Sequence, residues 1–348
     1  MPATLHGDVL LQQPMPCPTP RGPASAAVLA AMQGDAADPG PAVASALEGG
    51  TDVLRDDDLQ LALFCLYELH YGGIAGVDDR LEWSADLLAA RAAIETRFEA
   101  ALRAAVPIPP RPEPTAAAVA DALFALTSAD SGPGLARYVA RKATLEQLRE
   151  FLVQRSIYTL KEADPHSWGI PRLTGRAKAA LVEIQSDEYG AGRPGRIHSA
   201  IFAATMRTLG LDDAYGAYVD LVPAVTLTSV NTMSLFGLHR RLRGSIAGHL
   251  AAFEMTSSIP NRQYGNGFRR LGFGEDTTWY FDEHVEADAV HEQIAARDLA
   301  GGLVEGEPAL LDDVLFGAAA CLTVDGWAGE HQLTAWTAGA SSLRAPLP

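Results

Sequence analysis

Cysteine is scarce in this chain: Cys17, Cys65 and Cys321 are odd in number and far apart. That argues against a disulfide framework and fits a reducing compartment. No run approaches the roughly 20 apolar residues that a membrane-spanning helix needs. The N-terminus also lacks the basic region and apolar stretch of a secretory leader. Basic charge is short as well, 27 Lys and Arg against 43 Asp and Glu, for a formal charge of −16. Such an acidic surface repels phosphate backbones. The expectation is therefore a cytoplasmic protein with neither nucleic acid nor membrane as partner. Strand-like alternation bounded by turns is nearly missing too, and no internal repeat is visible.

Proline and glycine are concentrated at one end. The first fifty residues hold eight prolines and six glycines, with Pro14, Pro16, Pro18 and Pro20 at alternate positions. This composition cannot sustain a helix, so residues 1–50 are expected to be an extended wrap. Asp56, Asp57 and Asp58 suit a helix N-terminus, and Leu59, Leu61, Ala62, Leu63, Leu66 and Leu69 supply an apolar stripe. Residues 84–105 read as a second helix, and residues 51–114 as an N-terminal helical layer closed by the Pro107–Pro114 strap.

From Thr115 to about residue 340 the pattern is helical. Segments 115–127, 144–163, 174–189, 195–209, 212–220, 223–256, 279–297 and 308–336 have helical spacing or composition, separated by Gly, Pro, Asn or Asp clusters. The stretch 223–256 reads as one bent helix or two. The fold class is all-α, a helical bundle with an N-terminal helical and extended extension, and 348 residues suffice for its core.

The chemistry lies in nine histidines and a few carboxylates. His284, Asp288 and His291 stand at helical offsets of four and seven, rotations of about 40° and −20°, so they share one face. Two imidazoles and a carboxylate suit Fe, Mn or Zn. The competing reading is a solvated face, because Asp282, Glu283, Glu286 and Glu292 already charge the segment. Glu254 is flanked by Ala251, Ala252, Phe253 and Met255; it is either a buried carboxylate that needs a cation or an exposed one. Glu188 closes one apolar-patterned helix and His198 opens the next, across a Gly/Pro break that lets two helix ends converge. Glu183 and Asp187 compete with Glu188, and Glu162 adds a carboxylate before a Pro-terminated helix end. Seven such ligands exceed one metal ion and match two ions sharing a bridging carboxylate, as in helical bundles with di-iron sites. The Glu-x-x-His pairs of ferritin-like bundles are missing.

The order Glu, a ten-residue step to His, a distant Glu, then His-x-x-x-Asp-x-x-His resembles the haem-oxygenase-like di-iron oxidases and oxygenases, the iron-containing redox enzymes. The resemblance covers residues 115–335, about two thirds of the chain, with spacings closest to the N-oxygenating branch. It implies a haem-oxygenase-like bundle holding two Fe(II)/Fe(III) ions, with O2 as co-substrate. By position, Glu188, His198 and His291 resemble ligands of one iron, His284 and Asp288 ligands of the other, and Glu254 the bridging carboxylate. Glu162 resembles the additional carboxylate of the N-oxygenating branch, so Glu254 and Glu162 are expected to bear most directly on catalysis. The resemblance further implies oxidation of a small amine or amino acid through a peroxo-di-iron species, N-oxygenation favoured. Desaturation, C–C cleavage or C–N cyclisation of an amino acid or fatty acid is the alternative. A cupin-like extension found in that branch is not evident, so multi-step rearrangement is not implied. An electron donor or reductase and a homodimeric partner are further expectations. Two rival classes are a non-catalytic helical scaffold and a haem-binding oxygenase; a single axial His would serve haem and leave the other ligands unexplained.

Around these ligands the readings are plainer. His249 reads as a core or supporting histidine, His70 as packed in the N-terminal layer, and His239 with Arg240 and Arg241 as a basic cluster or a carboxylate anchor. His166 and Trp168 read as supporting or structural. Asn261, Arg262 and Tyr264 read as a loop that lines the substrate entrance or simply turns.

Overall fold

The computed structural model describes residues 13–35, 38–48, 50–129, 132 and 134–347, apart from the side chains of residues 286–289. Four helices build the N-terminal layer: α1 (Pro23–Met32), α2 (Gly40–Leu47), α3 (Asp57–Glu68) and α4 (Ala85–Ala105). Then follow α5 (Ala116–Ala129), α6 (Leu135–Arg141), α7 (Leu145–Thr159), α8 (Asp164–Ser167), α9 (Gly175–Glu188) and α10 (His198–Thr208). The last six are α11 (Ala224–Leu238), α12 (Arg243–Met255), α13 (Ser258–Arg270), α14 (Glu275–Gln293), α15 (Gly302–Gly306) and α16 (Leu311–Thr337). Among the described residues the fold is all-α, with one isolated bridge between Met15 and Ile74.

Two helices inside the first fifty residues correct the expectation of an extended wrap. Pro23 and Pro41 sit at the first positions of α1 and α2, where the missing N–H costs nothing. The Asp58 carboxylate accepts from the N–H groups of Ala24 and Ser25 at 2.8 and 2.7 Å, capping α1 from another helix. The described part of the alternate-proline stretch is not helical and is pinned by the Met15 N–H to the Gly73 carbonyl (3.0 Å) and the Ala75 N–H to the Met15 carbonyl (2.8 Å).

α3 begins as its acidic cluster requires, with the Asp56 carboxylate accepting from the Leu59 N–H at 2.8 Å. Every residue from Leu59 to Glu68 is buried, so α3 is enclosed on all sides rather than amphipathic. One apolar cluster runs from Met15 through α3, α4, α7 and α11 to Leu343, so the N-terminal layer and the bundle share a core. A second cluster joins α9, α12 and α16.

Segment 223–256 is two helices, parted at His239 by extended backbone and a 3-10 turn over Arg240–Leu242. Segment 212–220 is not an α-helix: the Asp212 side chain accepts from the Ala214 N–H at 2.9 Å and the Tyr218 hydroxyl takes the Asp212 N–H at 2.8 Å, fixing a turn that leads into a 3-10 turn at Val219–Leu221. The SSIPNRQYGNG segment is helix α13 rather than a loop. Pro260 falls in its first turn, where no backbone donor is needed, and Gly267 lets α6 approach, since a Cβ there would meet the Val139 carbonyl at 2.7 Å. Helix α7 stops at Thr159, and Ala163, at φ +76°, turns the chain directly after Glu162. No described helix is long and apolar enough to cross a membrane.

Candidate metal centre

Helix ends deliver the donors. Glu162 lies just past the end of α7, Glu188 ends α9, His198 starts α10, Glu254 is in the last turn of α12, and His284 and His291 lie on α14. Between Glu188 and His198 the chain reverses through Gly190 at φ +70°, where a Cβ would meet the Arg196 carbonyl carbon at 2.6 Å. Only glycine permits that approach, which brings the two donors together. Ala191, at φ +50°, continues the reversal.

These six residues are at most 6% exposed, so the competing readings of a solvated α14 face and an exposed Glu254 do not hold for them. Their donor atoms form two groups, each within 4.8 Å: Glu162, Glu188, His198 and His284, and then Glu188, Glu254 and His291. Glu188 belongs to both. The donors therefore sort differently from the partition that the resemblance implies: Glu188, not Glu254, stands between the groups, and His198 shares a group with His284 rather than with His291. The side chain of Asp288 lies outside the described residues.

Hydrogen bonds orient two of the three imidazoles, those of His284 and His291. His284 Nδ1 is 2.8 Å from the Tyr280 carbonyl, which can only accept, so that nitrogen carries the proton. Its Nε2 is then left facing Glu162 Oε1 at 3.6 Å, two electron-rich atoms that a shared cation or an added proton would reconcile. His198 Nδ1 lies 2.8 Å from Glu188 Oε2 yet off the line of a hydrogen bond, a buried nitrogen without such a partner among the described residues. His291 places Nδ1 3.2 Å from Glu254 Oε2 and Nε2 3.0 Å from Asp187 Oδ2. Burial opposes charge on His291, but its hydrogen bonds to the Glu254 and Asp187 carboxylates and the charge of Glu254 push it up to about 9. Burial raises Glu254, with Glu188 adding to it and His291 opposing. Burial works the same way on Glu162, but a proton added to His284, the charge of His198 when protonated and the Tyr280 hydroxyl hold it below the usual carboxylate range. Two carboxylate-and-imidazole groups sharing one carboxylate suit a pair of borderline divalent cations, and iron fits.

Tyr280 was not anticipated. Its hydroxyl donates to both oxygens of Glu162, at 2.7 and 2.9 Å. A helical offset of four from His284 would have signalled it. Of the competitors to Glu188, Glu183 is exposed and away from the site, whereas Asp187 supports His291 from the rim. His249 and His166 pair with each other at 3.1 Å, buried outside both groups. His70 packs in the N-terminal layer beside Glu82. His239 pairs with Glu95 at 2.9 Å instead of joining a solvated basic cluster. Trp168 packs edge-on against Tyr71.

A cavity of about 500 Å³ adjoins the first group, with Glu162, Tyr280 and His284 in its wall. Asn261 and Tyr264 line it from α13, while Arg262 is exposed.

Residues 149–326 match a family described as iron-containing redox enzymes. A nitrosourea synthase of Streptomyces achromogenes subsp. streptozoticus is 28% identical over 188 residues, which cover 52% of this chain and 40% of that protein. The chain thus spans about two fifths of the length of this relative. With the helical fold, the buried donor groups and a family match across half of its length, the chain belongs to the iron-containing redox enzymes.

Proposed function

We propose that this protein is an O2-activating non-haem di-iron oxygenase or oxidase of a small nitrogen-bearing substrate, with N-oxygenation its favoured outcome. The observation that carries the reading is the pair of buried donor groups sharing Glu188, beside a cavity with Glu162 and His284 in its wall. The similarity to a nitrosourea synthase supports the choice of nitrogen. Glu162, His198 and His284 would hold one ion, Glu254 and His291 the other, and Glu188 both. Bound iron would supply reducing equivalents to O2 and so an oxidant for the substrate.

The chain's own residues do the rest. Tyr280 fixes the orientation of Glu162 and keeps a proton at the cavity wall. The Tyr280 carbonyl fixes the His284 tautomer. Phe253, Val230 and Met233 make part of the cavity wall apolar, which limits water near the oxidising end. Anaerobic ferrous reconstitution, iron quantification and rapid mixing with O2 test the reading. About two equivalents of iron and an O2-dependent absorbance transient are expected, and His284→Ala should abolish turnover. Less than one equivalent with no transient, or full activity in that variant, refutes it; a Soret band would favour haem.

A further inference from the structure

Directly after Glu162, Ala163 holds a backbone conformation that glycine alone adopts freely: φ +76° and ψ −28°, at 1% exposure. A non-glycine residue in that left-handed region is strained and persists only where its surroundings over-determine it. What holds it comes from α9, the helix that ends in Glu188. Gln185 Nε2 donates to the Ala163 carbonyl and to the Ser167 hydroxyl oxygen, both at 2.7 Å. One turn further along, the Tyr189 hydroxyl donates to Asp164 Oδ1 at 2.8 Å. That uses its one proton, so the Ser167 hydroxyl, 2.8 Å away, donates to the Tyr189 oxygen. The bonds from Gln185 through Ser167 and Tyr189 to Asp164 thus run in one direction, each donor matched by an acceptor and each bond polarising the next.

The network brackets both carboxylates of the first donor group. Ala163 and Asp164 follow Glu162, while Gln185 and Tyr189 flank Glu188 on α9. Among the described residues none of these four side chains lines the cavity or belongs to a donor group. Glu162 and Glu188 place donor atoms within 4.8 Å of each other, and two buried carboxylates at that separation repel when both are ionised. Of the two, Glu162 is the one able to retreat. Glu188 sits in a helix whose Leu181 and Ile184 are locked into the second apolar cluster, whereas Glu162 lies past the end of α7 on the strained turn. We propose that Gln185, Ser167, Tyr189 and Asp164 form a clamp that sets the separation of Glu162 and Glu188 and so shapes the first group for its ion. All four are positioning residues, acting through Glu162. The inference rests on the metal reading of the donor groups and names what fixes the geometry of one of them.

The test is anaerobic loading of the iron-free full chain with Fe(II) in competition with a chromogenic ferrous chelator. The unaltered chain is compared with Gln185→Leu, Tyr189→Phe, Glu162→Gln and the double variant Gln185→Leu with Glu162→Gln. Cutting the clamp should weaken one of the two bound equivalents by about ten- to a hundredfold, the usual cost of losing a group that orients a ligand, and leave the other unchanged. Glu162→Gln should weaken the same equivalent. Because the clamp acts through Glu162, Gln185→Leu should add no further loss once Glu162 is replaced. A general loosening of α9 gives a different pattern: both equivalents weaken, and the loss from Gln185→Leu is the same with or without Glu162. Either of those results, or unchanged iron affinity in both clamp variants, overturns the inference. If Gln185→Leu does not fold, as read by circular dichroism, Tyr189→Phe, which keeps the ring and loses only the hydroxyl, decides in its place. An unaltered chain that binds less than one equivalent removes the metal reading and this inference with it. Two equivalents with no effect of either clamp variant overturns this inference alone.

Discussion

Glu188 stands apart at the residue scale because it belongs to both donor groups. Glu188→Ala takes an oxygen from each, whereas His291→Ala touches one. After ferrous reconstitution the first variant is expected to retain well under one equivalent of iron and the second about one. Quantifying iron in the purified chains checks this, and equal losses would contradict the shared position. His166 and His249 make a separate prediction. Burial takes His166 down to about 3, with Glu162 opposing, and takes His249 well below its ordinary value, with His166 adding to the effect. The unfolded chain charges both near pH 6.5 while the folded chain keeps them neutral, so it binds more protons than the native state below that pH. The stabilisation is complete above about pH 6.5 and is lost as pH falls towards 3, by up to about 1.4 kcal/mol per pH unit for each histidine. Urea denaturation at pH 7 and pH 5 should show the loss, and His249→Met should reduce it. A pH dependence identical to that of the unaltered chain would refute the account.

At the scale of elements, the crossing of α12 and α16 governs the second donor group. Gly248 and Gly317 let the two backbones touch: a Cβ at Gly248 would fall on the Val314 carbonyl, and one at Gly317 on that of Ser245. Helix α12 carries Glu254, so separating the pair should move a member of the second donor group as well as loosen the core. Gly317→Ala is expected to destabilise the fold by about 1–3 kcal/mol or more, as overpacking does. Calorimetric melting and iron retention check it together; a melting temperature equal to that of the unaltered chain would show that the crossing yields easily. Beyond His291, α14 passes into a π-helical stretch over Ile294–Gly301. Such stretches often accompany functional sites, and here it lies against α5, α9 and α12.

At the scale of the molecule, the N-terminal layer is tied to the bundle by charge as well as by the shared core. Lys161, next to Glu162, forms a buried ion pair with Glu68 of α3. The rings of Phe64, Tyr71 and Tyr215 surround the ammonium at 5.1, 4.2 and 5.3 Å, and the Tyr215 hydroxyl donates to Glu68 at 2.9 Å. Removing one partner strands the other: Lys161→Met should cost about 3–5 kcal/mol, and the double variant with Glu68→Leu should recover much of it. Denaturation followed by far-ultraviolet circular dichroism and by tryptophan fluorescence should give coincident transitions, because layer and bundle share one core. Separate transitions would show that residues 51–114 fold by themselves.

How much was legible followed from whether the signal was local. Long periodic helices such as 84–105 and 308–336 were visible in the sequence because an apolar face at 3.6-residue spacing is a property of the segment itself. The same holds for His284 and His291, which one helix brings onto one face. Helix α13 and the turn at 212–220 were misread, because Pro260 and Gly267 act through their position in a turn and a neighbouring helix, which composition does not encode. Tyr280 shares a helical face with His284, but its hydroxyl acts on Glu162, which only the fold brings to it. By itself, then, the sequence determined the helical class and singled out the carboxylates and imidazoles that the structure gathers. Only the tertiary structure decided which carboxylate is shared, which donors group together and which charges face the cavity. Those depend on helix crossings, chain reversals and burial that join segments from Glu162 to His291, which no single helix spans.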